Sequence, residues 1–165
     1  MKRLKLGFTV MAFLVIAGSI DANGQRTDPS ADFKAFLTEA DAAQRQLQTG
    51  KPEKAKSLWS NSNDVTISGG FGGDIERGWA NVSKRLDWAA TQFSQGNTTI
   101  ERLVVYSNGD LAYLVQLEHI KFKVPATGAD ATRDFRVTMV FRREGGKWKI
   151  VHRHADGATT RLPPQ

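Results

Sequence analysis

The chain has 165 residues, no cysteine and a formal net charge of +6, from 23 Lys and Arg against 17 Asp and Glu. That length is one ordinary domain, and it buries enough surface to fold on its core alone, without disulfide staples. Beyond the first few residues the Lys and Arg are dispersed rather than gathered into blocks, which excludes a basic nucleic-acid or membrane-binding tract and leaves a solvated surface.

The first segment, "MKRLKLGFTVMAFLVIAG", sets Lys2, Arg3 and Lys5 ahead of an apolar run from Leu6 to Ala17. This is the layout of a secretory signal peptide, and the run falls short of the roughly 20 residues that span a bilayer. Cleavage after Ser19, Ala22 or Gly24 would satisfy the small-residue requirement, and Gly24 is preferred because polar, helix-starting sequence follows it. An uncleaved anchor is the competing reading; with no cysteine there is no lipid attachment. Residues 1–24 are thus expected to be a signal peptide and residues 25–165 a single exported domain, periplasmic or extracellular, with no stable membrane anchor after cleavage. Removing three cations and Asp21 lowers the net charge from +6 to +4 over the remaining 141 residues.

Asp28-Pro29 opens a first helix in which Phe33, Phe36, Leu37, Ala40 and Leu47 recur at three-and-four spacing as far as Gly50. Pro52 opens a second, short helix with Ala55, Leu58 and Trp59 on one face. A brief strand is expected at "DVTIS", Asp64 to Ser68, then a glycine turn, "GGFGGD", with positive φ at glycine. A third helix carries Trp79, Val82, Leu86, Ala89, Ala90 and Phe93 on one stripe, with Gly96 as its stop. Trp88 lies off that stripe and marks either a partner surface or a pocket rim.

Two long hairpins follow. Asn108-Gly109 between apolar runs is a strong turn signal and sets Ser107 opposite Asp110; Tyr113 then faces the same way as Val104, Val115 and Leu117. Gly145-Gly146 sets Glu144 opposite Lys147, and strict alternation from there pairs Phe141 with Ile150, Met139 with His152 and Val137 with His154 on the apolar face. Arg136, Thr138, Val140, Arg142, Lys149, Val151 and Arg153 take the opposite face. A polar ring on a core face needs partners or water, so two histidines there point to a cavity.

"LWSNSNDVTISGGFGG", "GWANVSKRLDWAATQFSQG" and "FRVTMVFRREGGKWKIVHRHAD", with the helix order, cover almost all of the chain from Ser30 to Asp156. In these stretches the chain resembles the nuclear transport factor 2-like superfamily, in its SnoaL-like or ketosteroid-isomerase-like branch. The resemblance implies an α+β fold: a cone-shaped, curved, mostly antiparallel sheet with three helices from the N-terminal half closing a pocket, often as a homodimer. It leaves function open, because such folds serve isomerases, cyclases, epoxide hydrolases and non-catalytic modules alike. The aspartate base of the steroid isomerases would fall roughly at Gly69, and the first helix contains no tyrosine, so that machinery is absent.

No catalytic signature is complete. His152 and His154, with Asp64 at the pocket mouth to orient one of them, are the candidate catalytic residues of a small isomerase, lyase or hydrolase. The favoured reading is an exported pocket protein that binds a small apolar or oxygen-bearing molecule without turnover, lined by His152, His154, Met139, Val137, Tyr113 and Trp148. "HRHAD" supplies at most two imidazoles and one carboxylate, and His119 falls opposite Thr98 at the far end of its strand, so no metal is expected. No cofactor signature is present. The charged face of the last hairpin lacks aromatics on which bases could stack, which excludes a nucleic-acid platform; it is a solvated or subunit-facing surface on which a homodimer is expected.

Overall fold

In a computed structural model of the protein, residues 29–157 are described; the expected signal peptide lies outside them. Three helices, α1 (Ala31–Leu47), α2 (Glu53–Ser57) and α3 (Trp79–Ala90), cover one face of a six-stranded sheet. The strands are β1 (Thr66–Ser68), β2 (Glu76–Arg77), β3 (Ser94–Asn108), β4 (Leu111–Lys123), β5 (Asp130–Glu144) and β6 (Lys147–Gly157), in the spatial order β2-β1-β6-β5-β4-β3. All neighbours are antiparallel except β1 and β6, which run parallel, so the short strands of the first half extend the sheet built by the two hairpins.

The apolar stripes meet as their spacing dictates. Phe33 of α1 is fully buried, with its ring centroid 5.1 Å from Phe141 and 4.9 Å from Trp148. Removing such a ring costs about 3 to 5 kcal/mol. Trp148 packs into this hub and donates its indole N–H to Asp32 Oδ2 at 3.0 Å, while Arg143 reaches the same oxygen at 2.7 Å and lies over the indole. These hydrogen bonds, that from Arg143 foremost, hold the Asp32 carboxyl below the usual carboxylate range.

Three expectations about the elements need correction. The turn of the first hairpin is Gly109-Asp110, not Asn108-Gly109: Asn108 pairs with Leu111 and Ser107 with Ala112. Its core-facing residues are Ala112, Leu114, Gln116, Glu118, Ile120 and Phe122, while Tyr113 is 41% exposed on the outer face, 5.5 Å from the Tyr106 ring. Gly96 does not stop α3, which ends at Ala90, but lies in β3, where its N–H bonds to the Gln48 carbonyl at 3.0 Å and an added Cβ would stand 2.6 Å from that oxygen.

The third correction decides the site. Phe141 pairs with Ile150 as expected, but the next partners are Val140 with His152 and Met139 with Arg153, because a β-bulge at Val151 sets an extra residue into β6. Since side chains alternate with period two, one extra residue exchanges the faces of everything beyond it. Arg153 and Ala155 point into the core; His152 and His154 point out.

Candidate functional site

Midway along β4, in an otherwise apolar row of core-facing residues, stand Gln116 and Glu118. Glu118 is 1% exposed, and a carboxylate so far from water must be paired. Arg153, delivered by the bulge, meets it in a bidentate pair: Nη1 to Oε1 and Nη2 to Oε2, both at 2.9 Å. Planar, doubly hydrogen-bonded geometry of this kind is the strongest a guanidinium makes with a carboxylate. Gln116 Nε2 adds a third bond to Glu118 Oε1 at 2.7 Å, and the Gln116 carbonyl oxygen accepts from Arg102. Arg102 in turn holds both oxygens of Asp41 on α1 at 2.6 Å. The result is a relay from the half-buried Asp41 to the core, with two cations matched by two carboxylates.

Two small chambers surround this relay. One, of about 40 Å³, has Leu37, Leu114, Met139, Phe141 and Ile150 for walls and Arg102, Gln116, Glu118 and Arg153 as its polar side. The other, of about 50 Å³, is aromatic, lined by Phe71, Trp88, Phe93 and Phe135. Gln44, Leu86 and Arg153 belong to both, so the chambers adjoin at Arg153. Arg153 carries five donors; two engage Glu118 and one points at Met139 Sδ at 3.7 Å, which leaves donors to spare at the junction. Asp41, Arg102 and Leu37 also line an open groove on the outside, which makes the Asp41–Arg102 pair a wall between the first chamber and solvent.

Of the residues singled out in the sequence, Met139 lines the first chamber. Val137 is buried in the core and Trp148 in the aromatic hub, neither at a chamber. Tyr113, His152 and His154 lie on the opposite face of the sheet. His152 Nδ1 shares a hydrogen bond of 2.7 Å with Thr66 Oγ1. Asp64 sits in an exposed ion pair with Arg142, Nη1 to Oδ2 at 2.7 Å, and hydrogen bonds from Arg142, then Ser62, hold its carboxyl below the usual range. No pocket histidine and no orienting aspartate therefore meet. His119 is paired with Asp134 at 2.7 Å, and among the described residues no group of three His, Cys, Asp or Glu could hold a metal ion.

The residues that sequence reasoning missed are Glu118, Gln116, Arg153, Arg102 and Asp41. One signal for them was present: Gln116 and Glu118 interrupt the apolar alternation Ala112, Leu114, Ile120, Phe122 at its centre. Trp88 belongs to the rim, edge-on to Phe71 at 5.7 Å and covered by Arg85 at 4.3 Å.

A helix-covered, curved sheet with a cavity between the layers is the architecture of the nuclear transport factor 2-like proteins. A candidate dehydratase of that class from Streptomyces avermitilis is 20% identical, with a TM-score of 0.69 over 80% of this chain and 100% of that one. A superfamily protein from Salmonella enterica is 20% identical, with a TM-score of 0.64 over 77% and 92%. A ketosteroid isomerase-like protein from Erwinia carotovora is 14% identical, with a TM-score of 0.60 over 84% and 99%. At such identities the likeness is one of fold. The chain belongs to the SnoaL-like domain family, which it matches over residues 39–156. No curated protein matches it.

Proposed function

We propose that this protein binds a small, uncharged, oxygen-bearing apolar molecule between its helices and sheet, with Arg153 donating the hydrogen bond that orients it. The observation that carries this reading is the Glu118–Arg153 pair at the junction of two apolar chambers. A buried ion pair is a poor device for stability, because apolar residues of the same volume usually do as well, so its presence in a cavity wall favours recognition. The relay is neutral in sum, and a charged ligand would bring an uncompensated charge into it; a carbonyl or hydroxyl oxygen brings none. Both Glu118 oxygens already accept hydrogen bonds, which suits a residue that positions Arg153 better than one that exchanges protons. Binding without turnover is therefore favoured over an isomerase, lyase or hydrolase.

Calorimetry with acetophenone as the probe tests this. Arg153→Met is combined with Glu118→Met, since stranding either charge alone costs about 3 to 5 kcal/mol. The double variant should fold and bind at least tenfold more weakly, about 1.4 kcal/mol. His152→Ala should bind within about twofold of wild type, an effect of the size expected when no hydrogen bond to the ligand is lost. Absence of binding by the wild type, equal binding by the double variant, or loss in His152→Ala alone would overturn the reading.

Export and self-association belong to the same proposal. The basic-then-apolar start supports export, and the outer face of the sheet offers a second copy an apolar strip: Leu103 is 53% and Leu111 57% exposed there, beside Tyr106 and Tyr113. Protein recovered from the exporting cell should have a mass beginning near Gln25 and sediment as a dimer. An intact Met1 terminus would refute export, and a monomer at high micromolar concentration would refute the interface.

A further inference from the structure

The loop from Gly69 to Gly73 lies over the mouth of the aromatic chamber and puts Phe71 into it. The Phe71 ring stands 5.3 Å from Phe93, 6.0 Å from Phe135 and 5.7 Å from Trp88, the last two edge-on. This is the surrounding a flat ring prefers, and Phe71 enters it from a loop rather than from a helix or strand. The loop lies close because Gly70 has no side chain: an added Cβ there would stand 2.6 Å from the Phe135 ring. Gly72 and Gly73 have φ of +77° and +89°, a conformation that other residues rarely adopt. Arg85 fastens the loop to α3: it donates from Nη2 to the Gly72 carbonyl at 2.5 Å and lies over Trp88. Arg85 and Trp88 also line an open cleft on the outside, so they stand between chamber and solvent.

The chamber is too small for a ring as it stands. Its volume is about 50 Å³, against the roughly 150 Å³ of an apolar cavity that takes up benzene. The missing volume is the slot that Phe71 fills.

We propose that this slot is a subsite for a flat aromatic ring of the ligand, filled at rest by Phe71, and that the glycine loop opens it when Arg85 lets go. The inference rests on the binding function proposed above and adds two things to it: the ligand's apolar part is an aromatic ring, and it enters between the loop and α3. With the ring in the slot, an oxygen substituent points toward Arg153, which borders the same chamber.

Stopped-flow association of acetophenone, compared with its saturated counterpart cyclohexyl methyl ketone, separates the two proposals. Wild type should prefer acetophenone by about tenfold or more, an edge that the surrounding aromatic contacts supply. Arg85→Met and Phe71→Ala should each speed acetophenone association by about tenfold, the effect of removing about 1.4 kcal/mol from the barrier. If binding depends on Arg153 and Glu118 but the two ketones bind alike, or neither variant associates faster, the ring subsite fails while the binding function stands. Loss of the Arg153 dependence with the ring preference intact would show the reverse. A further arm needs no ketone: in crystals of Phe71→Ala soaked with benzene, a ring should occupy the vacated slot against Phe93 and Phe135. A slot that has collapsed, or that holds only water, would overturn the proposal.

Discussion

His152 and Arg153 are neighbours in sequence and opposites in environment, and the difference is one of burial and partner. Arg153 keeps its charge inside because Glu118 meets it with two hydrogen bonds. His152 has a hydroxyl partner, Thr66, and no carboxylate. Partial burial, with a smaller contribution from the charge of His154, therefore lowers its pKa below the ordinary 6.5. The unfolded chain takes up a proton that the folded chain refuses, so stability rises with pH through this window and is lost as pH falls below 6.5. Replacing His152 by Asn keeps a polar group beside Thr66 and removes the titration. Its melting temperature should decline less than that of wild type between about pH 7 and pH 5. A decline of equal slope would show that the histidine is free of the sheet.

Among the elements, the order of helices and long strands was legible because each has its own period and its own stop. The faces of the strands were not. In β4 both rows contain apolar residues, Tyr113, Val115 and Leu117 against Leu114, Ile120 and Phe122, so alternation alone could not choose the inner one. The polar Gln116 and Glu118 lie in the row that is in fact buried, the reverse of the apolar mark of an inner row, and only their partners explain them. In β6 the turn at Gly145-Gly146 fixed the register as far as Ile150, and the bulge then reversed it. Val151 is β-branched and suits a strand, so nothing in its chemistry announces an unpaired position. The bulge is supported from elsewhere in the fold: Ile150 takes backbone hydrogen bonds with Leu58 and Ser60, and His152 to His154 pair with β1. Gly96 was misread for a similar reason, since its need for glycine comes from Gln48, distant in sequence.

At the scale of the whole molecule, the fold supplies a cavity and leaves the chemistry to whatever lines it. Here that lining is a neutral relay from Asp41 to Arg153, two chambers of about 40 and 50 Å³, and a glycine loop carrying a phenyl ring over the second. On the binding proposed above, a ring enters by displacing Phe71, and ring size and an acceptor oxygen are the features that select the ligand. The central claim is that recognition takes place inside, at Arg153, and not on the outer face at His152. A crystal structure of the protein soaked with acetophenone tests it most directly. The account predicts the ketone between helices and sheet, its oxygen about 3 Å from the Arg153 guanidinium. A ketone bound against His152 and His154 on the outer face, with the chambers still closed, would contradict it.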